Sequence, residues 1–189
     1  MSDPRTLRTR SSLQRAVVEL ASAQDPSSVT VASLTQTAGI NRATFYDHYD
    51  SPQEVLLEVL RDDLDRTRQH DLELRDAVNG PHGGNFRVTM SEVLDHVRRF
   101  LPVYEQSVRS PVDSTLTRAV SSHFVESIRG ILARQEALPE GVDAEIAAAC
   151  IGNAVLGGIG VWIDRQDMAD AEFADAVAVC LPAWWHELR

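Results

Sequence analysis

Apolar side chains recur along this chain at helical spacing almost from its start. Leu13, Ala16, Val17, Leu20 and Ala21 fall at i, i+3, i+4, i+7 and i+8, one face of a helix beginning near Leu7. The turn-forming run Asp25-Pro26-Ser27-Ser28 ends it. Thr30 is placed to cap a second, shorter helix with Val31, Leu34 and Ala38 on its inward face. Ala38-Gly39-Ile40 stops that helix, because glycine accepts the positive φ of a tight turn. Asn41 is placed to cap a third helix through Arg42, Ala43, Thr44, Phe45, Tyr46 and Asp47. Two short helices joined by so small a turn are a helix-turn-helix candidate.

Ser51 as cap and Pro52 at the first helical position open a long fourth helix through Val55, Leu56, Leu60 and Leu64 to about Ala77. Residues 78–85, rich in glycine and asparagine, are the clearest loop. Helical patterns then cover roughly 86–100, 102–109, 112–136, 142–165 and 170–188, separated by Pro102, Ser110-Pro111, Pro139-Glu140-Gly141 and Asp167. No segment alternates with the period of a strand, and no repeat or low-complexity tract is present. The expected fold is all-α, about nine helices, with a three-helix head over residues 1–50 and a helical body over 51–189.

Composition narrows the class. In 189 residues, 43% hydrophobic side chains suffice for a core. No uninterrupted run of eighteen apolar residues occurs, and the opening MSDPRTLRTR lacks the apolar stretch of a secretion signal, so a soluble, cytoplasmic protein is expected, with no membrane partner. Cys150 and Cys180 form no CxxC pair, so neither a disulfide framework nor a zinc site is indicated; both read as small buried hydrophobes. The net charge of −10 at first opposes a polyanionic partner. Its distribution softens the objection: residues 1–50 balance five arginines against five acids, and the whole excess lies in the body. Every basic residue is arginine, whose planar fork suits phosphate.

The segment from Thr30 to Tyr49 closely resembles the DNA-binding motif of the TetR family of transcriptional regulators. The resemblance is carried by the Thr30-Val31 opening, Ala38-Gly39-Ile40, Thr44-Phe45-Tyr46 and His48-Tyr49. It implies a head that binds DNA and a body that binds a ligand and dimerises. The residues divide the labour independently of that resemblance. Val31, Leu34, Ala38, Ile40 and Phe45 face inward, because so small a head must bury nearly every large apolar group. Arg42, Ala43, Thr44 and Tyr46 lie where a recognition helix meets base edges in the major groove, and the capping Asn41 is counted with them among the DNA-binding residues. Arg42 can bind guanine through O6 and N7, and is the leading specificity residue. Thr30, Ser33, Thr44, Tyr46, His48 and Tyr49 carry donors suited to phosphate oxygens. In one departure, the family pattern commonly has a phosphate-associated lysine where this chain has Pro52. Arg5, Arg8 and Arg10 read either as a compensating arm or as a solvated tail.

In the body, Ala148, Ala149, Gly152, Gly157 and Gly160 crowd one helical segment with small residues at spacings that admit a second helix. A homodimer interface is expected there, made with the final helix (Phe173, Val177, Leu181, Trp184, Trp185); a monomer core would use the same residues. His96, Phe100, Tyr104, His123, Asn153 and Trp162, interleaved with apolar positions, are candidates for a small-molecule pocket, whose place in the body the family resemblance also implies.

Three classes compete. An enzyme would need a nucleophile-base or metal constellation, and no HExxH, CxxC or Gly-x-Ser-x-Gly occurs. A helical protein-interaction module would lack steep salt dependence toward DNA. The expected function is a sequence-specific DNA-binding regulator, a repressor released by a small effector. It would work without a cofactor, as a homodimer on a palindromic site in double-stranded DNA.

Overall fold

Nine α-helices and two short 3₁₀ turns, with no strand, make up the regular structure among the described residues of the computed structural model, which are 4–77, 83–109, 114–165 and 167–188. In chain order they are α1 (Pro4–Ala23), α2 (Val31–Ala38), α3 (Arg42–Tyr46), α4 (Pro52–Ala77), α5 (Gly83–Arg99), α6 (Leu101–Arg109), α7 (Ser114–Leu132), α8 (Ala144–Asp164) and α9 (Asp170–Cys180). The 3₁₀ turns span Pro26–Ser28 and Ala183–Glu187. The all-α expectation holds. Residues 78–82 of the expected loop, and the separators Ser110 and Pro111, lie outside the described residues.

Two boundaries differ from the apolar pattern. Gly83, Gly84 and Asn85, expected in a loop, are already helical in α5. At the other end, the pattern predicting one helix over 170–188 is split. Pro182 disfavours the helical region for the residue before it, and Leu181 is extended at φ −86°, ψ 154°. The His186 ring lies 3.0 Å from the Ala178 carbonyl, beside the last turn of α9.

By backbone proximity the chain divides into two compact units, Met1–Asp62 with Arg99–Thr117, and Asp63–Arg98 with Arg118–Arg189. The first is the three-helix head enlarged by the start of α4 and by α6, which the sequence assigns to the body. Leu13, Val17 and Ala21 on α1 are buried, as the periodicity predicts. α2 and α6 pack on α1, and Val103 of α6 is fully buried. Leu34 and Phe45 are fully buried, while Val31, Ala38 and Ile40 are half-buried.

The second unit holds the later part of α4, α5, most of α7, α8 and α9. α8 is long and apolar enough to cross a membrane, with a mean hydropathy of 1.9. Here it packs against α7 and α9, and its small residues divide by face. Ala148 and Gly152 are buried within the chain, whereas Ala149, Gly157 and Gly160 are exposed. A β-carbon at Gly152 would sit 2.9 Å from the Val125 backbone nitrogen, so glycine is what lets α7 approach. Cys150 and Cys180, expected to be buried, are both exposed. Helical spacing explains the first: Cys150 falls on the outward stripe of Ile146, Gly157 and Val161, away from the core positions Ile151, Val155 and Ile159.

Gly152→Ala is therefore expected to destabilise the chain by about 1–3 kcal/mol through overpacking against rigid backbone. Gly160→Ala meets nothing within 4 Å in its own chain and should leave the stability of the single chain, at concentrations where it is a monomer, unchanged or raise it by up to about 1 kcal/mol. Urea unfolding of the two variants beside the parent checks the contrast.

Candidate functional site

The turn between α2 and α3 is built from side-chain caps and one glycine. Thr30 Oγ1 accepts from the Ser33 amide at 3.1 Å while Ser33 Oγ accepts from the Thr30 amide at 3.2 Å, a reciprocal capping box. At the other end Gly39 adopts φ +68°, and the Ile40 amide reaches back to the Thr35 carbonyl at 3.1 Å. That left-handed residue closes α2 and turns the chain into α3. Asn41 Oδ1 then accepts from the Thr44 amide at 2.8 Å, capping α3 as its position predicts. Ser51 Oγ caps α4 through the Glu54 amide at 3.2 Å, with Pro52 buried at the first helical position.

These caps set what α3 displays. Asn41, Arg42, Ala43 and Tyr46 are exposed, Thr44 and His48 are half-buried, and Phe45 points inward with no exposed surface. Thr30 is exposed and Ser33 half-buried, their hydroxyls engaged with each other at the mouth of α2. Eight of the nine residues proposed for DNA contact thus retain surface on the head. The ninth departs from the expectation. Tyr49 is only 3% exposed, so its hydroxyl is not offered to a phosphate. It accepts from Arg10 Nε at 3.1 Å and donates to Glu58 Oε1 at 2.8 Å.

The cluster around Tyr49 joins three elements of the first unit. Arg10 of α1 also donates to Glu58 Oε2 at 2.6 Å, and Gln14 to Glu58 Oε1 at 2.9 Å. The Arg10 guanidinium lies 5.8 Å from the centre of the Tyr49 ring. Burial alone would push the Glu58 carboxyl up, but the Tyr49 hydroxyl, Arg10 and Gln14 outweigh it and hold the carboxyl below its ordinary range. Hydrogen bonds to Tyr49 and then Glu58 raise the Arg10 guanidinium. Burial raises the Tyr49 phenol despite the opposing effect of Arg10. Sequence reasoning missed Gln14 and Glu58 and left Arg10 either in a compensating arm or in a solvated tail, whereas it is tied to Tyr49 and Glu58. Helical spacing puts Arg10 and Gln14 on one face of α1, but it links neither of them to Tyr49 or Glu58, which join them only through packing.

In the second unit a cavity of about 60 Å³ lies among α4, α5, α7 and α8. Its wall is mostly apolar, with Leu64, Phe86, Met90, Phe124, Ile128 and Ile151, and its polar groups include Thr67, Asp71, Thr89, His123 and Ser127. Thr89 Oγ1 donates to Asp71 at 2.5 Å. His123 Nδ1 stands 3.8 Å from Asp65. Of the six candidate pocket residues, His123 is the one on this wall. His96 is buried with its Nδ1 2.8 Å from Asp63. Trp162 is buried against Phe173 and beneath Arg98, whose guanidinium lies 5.0 Å from its ring centre. Asn153 is exposed, accepting from Ser121 and donating to the Ala149 carbonyl. Phe100 and Tyr104 fall in the first unit.

The same arrangement of helices occurs in known regulators. A putatively assigned TetR-family regulator from Syntrophomonas wolfei superposes with a TM-score of 0.69 at 12% identity, over 91% of this chain and 92% of that one. NalD of Pseudomonas aeruginosa, the secondary repressor of the MexAB-OprM multidrug efflux pump, superposes at 0.64 and 19% identity, over 99% of both chains. The chain has the TetR-family fold. Over 60 residues, 31% of its length, it is also 42% identical to the HTH-type transcriptional regulator YxbF of Bacillus subtilis. It spans 16% of the length of that relative. No protein-family model matches the sequence. The sequence expectation of a TetR-type architecture is met, and α2 and α3 with the turn between them form a helix-turn-helix.

Two outcomes are expected from this geometry. Arg42→Ala should cost about 1–3 kcal/mol on a preferred DNA site and relax discrimination at one base pair. Binding assays on the site and its single-base variants test this, and an equal loss on every sequence would make Arg42 a phosphate contact. The second concerns acid. A carboxyl whose folded pKa is depressed adds stability that is present above its unfolded pKa and lost as pH falls through the folded value. The stability difference between the parent and Glu58→Gln should therefore be largest near neutrality and shrink on acidification below the ordinary glutamate range, as urea unfolding at a series of pH values would register.

Proposed function

We propose that this chain is a DNA-binding transcriptional regulator that acts as a homodimer on a two-fold-symmetric duplex site and is released by a small, mostly apolar effector. The observation carrying the reading is the exposed face of α3. Arg42, Ala43 and Tyr46 project from a helix fixed at its start by Asn41 and anchored from beneath by Phe45. A recognition helix offers a duplex this combination of a guanidinium fork, a methyl group and a phenol. The local identity to YxbF and the fold shared with the repressor NalD support the reading.

Dimerisation is supported by the outward stripe of α8 and by α9. Ile146, Val161 and Val179 are 66%, 52% and 86% exposed, beside the small residues Ala149, Gly157 and Gly160. Apolar area of this kind is what a second copy would cover. In a dimer the paired α3 helices would stand about 34 Å apart to enter successive major grooves, or at a related spacing if dimers pair on the site. In this reading the DNA-contacting residues lie within residues 1–50, supported by the start of α4 and by α6 in the same compact unit, and the second unit serves ligand and dimer.

The effector site in this proposal is the cavity beside His123. At about 60 Å³ it is far smaller than the roughly 300–1,000 Å³ of small-molecule sites. An effector would have to open it, displacing α4 from α7 along the line of Leu64, Thr67 and Asp71. α4 runs unbroken from Pro52 to Ala77, so such a displacement would favour head positions unsuited to DNA. Differential affinity for the two states is what would make the ligand an inducer.

The test is equilibrium binding to duplexes enriched from a random pool, at several salt concentrations. Phosphate neutralisation predicts that affinity falls steeply and log-linearly with salt and that a two-fold-symmetric sequence is enriched. Failure to bind any duplex at low ionic strength would reject the proposal in favour of a protein-interaction module.

A further inference from the structure

The geometry points to Glu58, which lies outside the helix-turn-helix, as a positioning residue for the DNA-reading face: through Tyr49 and Arg10 it fixes how the end of the recognition segment is held between α1 and the start of α4. This inference rests on the DNA-binding reading above and adds to it the group that holds the reading helix in place.

α3 is only five residues long and cannot set its own axis. Asn41 and Gly39 fix its beginning and Phe45 its depth. Its far end is fixed by Tyr49, whose amide still bonds the Phe45 carbonyl at 3.0 Å and whose hydroxyl ends on Glu58 at 2.8 Å. One Glu58 oxygen accepts from Tyr49 and Gln14, and the other from Arg10. Arg10 in turn donates through Nε to Tyr49, closing a three-residue ring of hydrogen bonds. A closed ring with defined donors and acceptors adds directional constraints on its three segments to those that apolar packing supplies. Bulk stability does not explain the choice of residues, since well-packed hydrophobes generally stabilise as much as a charged pair. What such a network adds is orientation.

Glu58 also stands six positions before Leu64 on the same helix, so the residue that grips Tyr49 and a residue lining the cavity belong to one continuous rod.

The test is a double-mutant cycle read in DNA discrimination. The parent, Glu58→Ala, Tyr49→Phe, the double variant and Glu58→Gln are titrated against the duplex that the parent enriches from a random pool and against a shuffled duplex of equal length. Thermal melts first establish that each is folded at the assay temperature. Glu58→Ala and Tyr49→Phe are each expected to weaken binding to the enriched duplex about tenfold, with less than about a twofold change on the shuffled one. The double variant should lose no more than the worse single one, and Glu58→Gln, which still offers Tyr49 an acceptor, should recover most of the loss. Additive losses, equal losses on both duplexes, or unchanged discrimination in Glu58→Ala would overturn the inference while leaving DNA binding intact. A parent that binds neither duplex would overturn the DNA reading itself, and this inference with it.

Discussion

A five-residue helix has too few internal hydrogen bonds to exist alone, and everything the head could do at a DNA groove depends on the contacts that hold α3 in shape. Phe45 supplies the largest of these. It is fully buried, with Tyr46 edge-on at 5.3 Å and Tyr49 at 6.2 Å between ring centres. Burying one such ring removes about 150–250 Å² from water, which offsets much of the cost of ordering so short a helix. The caps at Thr30, Gly39 and Asn41 then convert that burial into a direction. Without Phe45 the caps would have no axis to fix, and without the caps the ring could be buried with the helix rotated.

The second unit uses polar contacts differently. Asp63 and His96 are both buried and bonded to each other, and Arg66 also reaches Asp63. Arg98 lies over Trp162 while binding Asp170 at the start of α9. That contact, opposed by partial burial and aided by Ser91, holds the Asp170 carboxyl below its usual range. Such groups contribute little net stability compared with apolar packing, but each admits few alternative partners and so fixes the register of one helix on the next. Around the small cavity the pattern reverses, with apolar groups on most of the wall and few polar ones.

α8 shows how one composition serves two surfaces. Its apolar and small residues surround the whole helix, so periodicity alone gives no inward face. Gly152 and Gly158 face helices of the same chain, where added β-carbons would lie 2.9 Å from Val125 and 3.0 Å from Val177. Gly157 and Gly160 meet nothing within 4 Å. The sequence left an interface and a core as alternatives for this segment, and the structure uses part of it as core while leaving the rest open.

The order and type of the helices, the caps at Thr30, Asn41 and Ser51, the glycine turn and the exposed residues of α3 were legible in the sequence, because each depends on neighbours within about four positions, where hydrogen bonding and side-chain spacing are dictated locally. Tertiary structure decided what those rules do not reach. It buried Tyr49 and joined it to Arg10 and Glu58, brought α6 onto α1, exposed both cysteines, and made His123 rather than His96 or Trp162 a wall of the cavity. Each depends on which helix packs on which and at what rotation. That choice is made by the summed burial of residues tens of positions apart, and no local window of the chain contains it.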